Sequence, residues 1–253
     1  MANLPKDIDP RWARLREVTP ARIGLARTGS AIATRDHLAF QLDHARARDA
    51  VTEALDPVAL LHSIRERHLD AVELHSAAAD RHTFLARPDL GRRLDDRSLD
   101  LLGRLARGYD LVFALADGLS ARAVMTHALP LIDETVPHLS SRGWRIGPVA
   151  IVVQGRVAVG DEIGQALDAA LVAVLIGERP GLTSPDSLGV YLTWEPKIGR
   201  SDAERNCLSN IRPKGMPYGE AAARLVYLCT EAKRCRCTGT TLKDQSQTGI
   251  LLK

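Results

Sequence analysis

This 253-residue chain has no histidine after residue 138: all eight lie between His37 and His138, before the second apolar run of its later part. A serine or cysteine nucleophile beyond that point would need its imidazole base from the N-terminal region or from another chain, which argues against a self-contained triad hydrolase. The G-x-S-x-G elbow is missing, as are the G-x-G-x-x-G fingerprint and the P-loop with its lysine, so the nicotinamide and nucleoside triphosphate readings lack their physical signatures. Neither sign of charge dominates. The formal net charge is +3 and the two signs are interleaved rather than blocked, a pattern unlike a nucleic-acid-binding surface. The longest apolar run, residues 169–176, is far too short to cross a bilayer. Residues 1–10 mix Lys6, Asp7 and Asp9 with Pro5 and Pro10 and lack the apolar core of a secretory signal, so a cytoplasmic protein is expected. Cysteine is scarce, with only Cys207, Cys229, Cys235 and Cys237. A lone C-x-C is weak evidence for zinc, reduced thiols are expected in the cytosol, and Cys235-Arg236-Cys237 reads as a solvent-facing helix end rather than a redox pair.

The remaining composition, 45% hydrophobic and 26% charged, is that of a soluble globular chain able to bury a good core. Periodicity divides it into two unequal parts. Residues 1–107 read as a mainly helical N-terminal region. The segment from Thr34 to Leu55 carries Leu38, Leu42 and Ala45 at helical spacing, with Thr34 as its expected cap and Asp36 suited to the positive end. Further helices are expected at 57–69 and 98–107. From residue 108 to 253 the pattern changes to short apolar runs at 111–115, 149–153, 171–176 and 188–193, with helix signals near 121–132, 161–168 and 220–233. Connections long enough for crossovers imply an open, mostly parallel α/β sheet.

In such a sheet, ligands sit beyond the carboxyl ends of the strands. Three segments occupy that position: 117–120 (DGLS), 154–157 (QGRV) and 177–181 (GERPG). Each also admits a plainer reading. Asp117 or Ser120 could simply cap the next helix, and Glu178 could pair with an arginine at the surface. Cys207, in the mixed segment 205–211, is read either as part of a polar ligand site or as a small buried hydrophobe.

The runs ARPDLGRRL (86–94), LVFALADGLSA (111–121), GRVAVGDEIG (155–164), VLIGERPGL (174–182) and ERNCLSNI (204–211), in this order and spacing, closely resemble the small subunit of ethanolamine ammonia-lyase. FQLDHARARDAV (40–51) resembles that family too, and the likeness runs from about Arg22 to the C-terminal helix. The resemblance implies a Rossmann-like domain that contacts adenosylcobalamin, docked on a (β/α)8-barrel large subunit that holds the substrate. It also implies radical chemistry: homolysis of the cobalt–carbon bond, hydrogen abstraction from ethanolamine, and release of acetaldehyde and ammonia. Val157, Glu178 and Cys207 match the family's cobalamin-contacting positions and carry its residue types. No residue of this subunit is expected to be catalytic or to bind a metal directly.

Corrinoid enzymes that replace the cofactor's own lower base use a D-x-H-x-x-G loop, and here no histidine follows residue 138, so the dimethylbenzimidazole is expected to stay on cobalt. Sealing a radical site behind so thin a layer requires a second polypeptide, for which ARPDLGRRL has an interface-like mixture, although a solvated helix start would look the same. Some family members carry a long amphipathic extension associated with bacterial microcompartments; Pro5 and Pro10 make this start a poor encapsulation helix. The segment after Cys237 is assigned no role. Rival readings are a non-catalytic Rossmann-like module for a nucleotide or phosphate, and an adaptor made only for assembly.

Overall fold

The computed structural model describes residues 10–19 and 21–246. In chain order it contains α1 (Pro10–Glu17), β1 (Arg27–Thr28), β2 (Ala31–Ile32), α2 (Thr34–Thr52), α3 (Pro57–Glu66), β3 (Ala71–His75), α4 (Arg81–Ala86), α5 (Asp96–Gly103), β4 (Leu111–Ala116), α6 (Ala121–Ser140), β5 (Val149–Val153), α7 (Val159–Ala166), β6 (Leu171–Gly177), β7 (Leu188–Trp194), β8 (Arg205–Ile211) and α8 (Tyr218–Cys235). Six strands form one open sheet in the order β3-β5-β4-β6-β7-β8. The β3–β5, β5–β4 and β4–β6 pairs are parallel, and β7 and β8 are added antiparallel. The expected open, mostly parallel α/β sheet is therefore present.

Side chains alternate across a strand, so each strand feeds two cores. On one face Leu111, Phe113, Leu115, Ile151, Ala173 and Leu175 pack under α3, α6 and α8. On the other, Val112, Ala114, Val152, Val172 and Val174 meet α5 and α7. Strands covered on both faces need no polar alternation, which is why β4 and β6 are fully buried apolar runs. Capping is regular: Asp56, Asp95 and Ser120 accept from the amides of Ala59, Ser98 and Ala123 at the starts of α3, α5 and α6.

Several expectations need correction. Residues 71–75, inside the region read as helical, supply the edge strand β3. It buries only Val72 and Leu74, too short an alternation to stand out. Strand β8 was also missed, because RNCLSNI is a polar, irregular edge strand that buries only Arg205, Leu208 and Ile211. Thr34 does not cap α2; it is the first helical residue, preceded by Ala33, which offers no side-chain oxygen. The apolar stripe of α2 is not in the core, since Leu38 and Leu42 are exposed and Ala50 is its one buried residue. Pro10 opens α1 rather than breaking it. The readings that rest on Pro5 and on Lys6, Asp7 and Asp9 lie outside the described residues. Among the described residues no helix is long and apolar enough to cross a membrane.

Candidate functional site

Parallel strands β4, β5 and β6 end side by side, and the three loops singled out by position meet there. Asp117, directly after β4, is 1% exposed. Its two carboxylate oxygens accept from the amides of Gln154 (3.0 Å) and Gly155 (2.9 Å), stitching the β4 end to the β5 end. Gln154 adopts φ +57°, which turns the chain so that both amides point back at the carboxylate. Burial pushes the Asp117 carboxyl up to about 6, against the opposing pull of Arg81 and of the donated amides. Arg81, from the start of α4, stands 3.6 Å from Asp117 and donates to the carbonyl of Gly118 (2.9 Å) and to Gln154 Oε1 (3.2 Å). Asp117 is thus a strut between loops, and the cap of α6 is Ser120.

The β6 end closes on the same turn. Leu119 donates to the carbonyl of Gly177, and Gly118 takes φ +54°, where a Cβ would lie 2.4 Å from that carbonyl oxygen. Only glycine satisfies both the left-handed backbone and this approach. Beyond it, Glu178 is held by its own chain. Its Oε1 accepts from Ser209 Oγ (2.5 Å), and its Oε2 accepts from Ser187 Oγ and from the Asn210 amide (3.2 Å). The plainer expectation of an arginine pair is not what occupies Glu178; hydroxyls and an amide do.

Val157, Glu178, Gly118, Phe84, Arg156 and Tyr191 are among the residues lining an open cavity of about 300 Å³ at this end of the sheet. Cys207 does not line it directly. It sits on β8 opposite Tyr191, which does. Tyr191 is pushed up to about 12 by desolvation and by its neighbours Cys207 and Glu178. The Cys207 residue is exposed, yet its thiol is raised, chiefly by the protein packed around the sulfur and also by nearby Glu178. It is therefore a neutral thiol at physiological pH. Three larger cavities lie elsewhere: one of about 500 Å³ around Asp110, Asp168 and Glu195 at the opposite ends of the strands, one of about 500 Å³ along β3, and one of about 340 Å³ around Asp70, Tyr109 and Pro148. None adjoins the carboxyl ends of β4 and β6.

The wall of the cavity is braced by further groups, of which sequence reasoning had singled out only Arg156, within the segment 154–157. The guanidinium groups of Arg81 (4.7 Å) and Arg156 (4.4 Å) both stack on the Phe84 ring. Arg156 donates its amide to the Gly91 carbonyl (2.7 Å) and a guanidinium nitrogen to the Phe84 carbonyl (3.0 Å). The Leu94 amide donates to Glu162 Oε2 (2.6 Å). Arg205, 1% exposed in its side chain, makes a two-pronged bond to the buried carboxylate of Asp161 (2.8 and 2.7 Å) and donates to Thr193 Oγ1 (2.8 Å). These bonds join segments 86–94, 111–121, 155–164, 174–182 and 204–211 into one connected ridge. No spacing rule predicts the Asp161–Arg205 pair; a lone arginine opening an otherwise unbroken mixed segment was its only visible trace.

Comparison with known proteins identifies the family. The sequence model of the family described as Ethanolamine ammonia-lyase light chain (EutC) matches residues 9–243. The chain is 52% identical over 244 residues to the ethanolamine ammonia-lyase small subunit of Pseudomonas aeruginosa (strain LESB58), covering 95% of this chain and 89% of that protein. It is 53% identical over 247 residues to the corresponding subunit of Pseudomonas fluorescens (strain SBW25), covering 96% and 89%. For the subunit of Azotobacter vinelandii (strain DJ / ATCC BAA-1303) the figures are 52% over 244 residues, 95% and 90%.

Proposed function

Because the chain belongs to the ethanolamine ammonia-lyase small-subunit family, a carbon–nitrogen lyase component, we propose that its carboxyl-end ridge forms one wall of an adenosylcobalamin site completed by a large subunit. The observation that carries this reading is the convergence of three separate sequence segments, 111–121, 155–164 and 174–182, on a single cavity that contains Val157 and Glu178, with segments 86–94 and 204–211 bonded to them from outside its lining. In this reading residues 108–253 are the Rossmann-like, cofactor-contacting part and residues 1–107 a mainly helical region beside it.

The residues present suit a corrinoid in chemistry and in shape. Cobalamin offers neutral amide arms and apolar ring edges. Glu178 Oε1 has one bond and so keeps capacity to accept from an amide N–H, Val157 offers an apolar contact, and the exposed β8 residues Cys207, Ser209 and Asn210 offer a mixed edge. A cavity of about 300 Å³ is at the lower limit for a small ligand, so this chain supplies a wall and not an enclosure. A partner must cover the rest, and the relatives' designation as small subunits implies one. When bound, adenosylcobalamin supplies the radical that starts removal of ammonia from ethanolamine, leaving acetaldehyde. This chain's own part is to bind, orient and exclude water. Ser187, Ser209 and the Asn210 amide fix the Glu178 carboxylate, while Asp117 and Arg156 fix the loop that presents Val157.

No histidine stands in the loops after β4, β5 or β6, which supports retention of the cofactor's own dimethylbenzimidazole on cobalt; hyperfine coupling from a protein imidazole in the cob(II)alamin state would overturn that. The main test is cobalamin binding by the complex reconstituted with a large subunit. Glu178→Gln should raise Kd roughly tenfold, the effect of losing a hydrogen bond to a charged acceptor, about 1.5 kcal/mol. An unchanged Kd in a folded variant, or a corrin placed away from Val157, Glu178 and Cys207 in a map of the complex, would refute it.

A further inference from the structure

The C-terminal cysteines are not used by the cofactor reading, and they are the one place where two thiols meet among the described residues. Helix α8 ends at Cys235, and its cap, Arg236, adopts the left-handed conformation (φ 54°, ψ 41°). That single residue folds the chain back, so that Cys235 and Cys237, two positions apart, bring their sulfurs to 3.1 Å. A continuing helix would point residues two apart to different sides. The two thiols are therefore brought together by the cap rather than by chance exposure. The other two cysteines lack this arrangement: Cys229 is fully buried, and Cys207 is exposed on β8 with Tyr191, not a thiol, opposite it.

We propose that Cys235 and Cys237 form a peroxide-reactive dithiol that closes to an intrachain disulfide. Cys235 is the attacking sulfur, because it is the exposed member of the pair, whereas Cys237 is half-buried. The hydrogen bond between the sulfurs raises the Cys237 thiol, which keeps its proton while its neighbour reacts. In the first step the Cys235 thiolate takes one oxygen of the hydroperoxide; the S–O bond forms, the O–O bond breaks, and with hydrogen peroxide the departing hydroxide takes up a proton as water. In the second, Cys237 attacks the sulfenic sulfur; the S–S bond forms, the S–O bond breaks, and a second water leaves. Two thiols are oxidised by two electrons and one peroxide is reduced. From 3.1 Å the sulfurs must approach by only about 1 Å to reach disulfide length.

Closure would also lock the turn that begins the C-terminal clamp. Immediately after Cys237, Thr238 Oγ1 accepts from the Trp194 amide and donates to the Glu204 carbonyl, and the Gly239 amide donates to Asn206 Oδ1. The inference is independent of the cobalamin reading, since no group in it touches the cavity.

The test is mass spectrometry of the chain, alone and in its complex with the large subunit, after a small excess of hydrogen peroxide. The expected result is loss of two hydrogens, reversed by a dithiol reductant. Trypsin cuts after Arg236, so the oxidised site should appear as the dipeptide 235–236 joined to the peptide 237–243. Cys235→Ser and Cys237→Ser should each abolish that species, and Cys207→Ser should leave it unchanged. No loss of two hydrogens, stepwise gain of oxygen at either sulfur without a crosslink, a crosslink to Cys207, or reaction in the free chain but not in the complex would each overturn the proposal.

Discussion

Removing the Asp161 carboxylate should be among the most costly single substitutions in this fold. Asp161 lies in the first turn of α7, and Arg205 opens β8; both are buried, and their two-pronged bond ties the helix after the Val157 loop to the strand that carries Cys207. Asp161→Ala leaves a guanidinium 1% exposed with only Thr193 Oγ1, the Arg200 carbonyl and the solvated Asp202, 3.6 Å away, as partners. An ion stranded in this way costs about 3–5 kcal/mol. For a chain of this size that is roughly 6–20 °C in Tm. The reverse substitution, Arg205→Met, should cost less. Asp161 would keep the positive end of α7, worth up to about 2 kcal/mol in a partly buried setting. Replacing both groups with apolar side chains, Asp161→Ala with Arg205→Met, should recover much of the loss, because the desolvation cost of the pair disappears along with its attraction. Denaturant titrations of the four proteins measure the cycle directly. If Asp161→Ala falls within about 1 kcal/mol of the parent, as a solvated surface pair would, or if the double variant loses the sum of the two singles, the reading of this pair as a buried strut is wrong.

Two further outcomes follow from the same ridge. Burial raises the Asp117 carboxyl to about 6, so between about pH 4 and 6 the folded chain binds more protons than the unfolded one; this group's contribution is full below about pH 4 and is lost as pH rises through about 6. Asp117→Asn lacks that slope, and the stability difference between parent and variant should shrink by on the order of 3 kcal/mol from about pH 4 to 7 in denaturant titrations; a flat difference would refute it. Gly177→Ala would put a Cβ 2.0 Å from the Ser120 carbonyl oxygen and 2.7 Å from that of Asp117, both backbone atoms that cannot swing aside. A loss near 3 kcal/mol, the upper end for overpacking, is expected in the unfolding midpoint, and an unchanged midpoint would show that the β4 and β6 ends are not in contact.

What could be read from the sequence was what burial on both faces writes into it. The run Val149–Val153 has the bounds expected of it, and the runs at 111, 171 and 188 differ only by a residue or so at one end, because a strand covered on both sides must be apolar at every position. Edge strands carry no such mark. At β3 only Val72 and Leu74 face the core, and at β8 the left-handed Asn210 and a shift in register against β7 erase the alternation. The site shows the same division. Position after a strand pointed to Asp117, Val157 and Glu178, since topology alone puts loop residues together. What each does there depended on partners far along the chain: Asp117 on amides 37 and 38 residues away, Glu178 on a serine 31 away, Asp161 on an arginine 44 away. Cys207 was singled out without its strand, so that its place opposite Tyr191 emerged only from the pairing of β7 with β8.

The short stretch after Cys237, to which no role was given, lies against the outermost strand of the sheet. Asn206 holds it at both ends, accepting from the Gly239 amide and donating to the Leu242 carbonyl. An uncovered rim of this kind is a template on which a stray strand from another molecule can add, and a bound peptide tail is one of the ways natural sheets forestall it. A protein shortened before Thr238 would keep its helices and its cavity, yet would carry a bare border inviting self-association during storage or crowding.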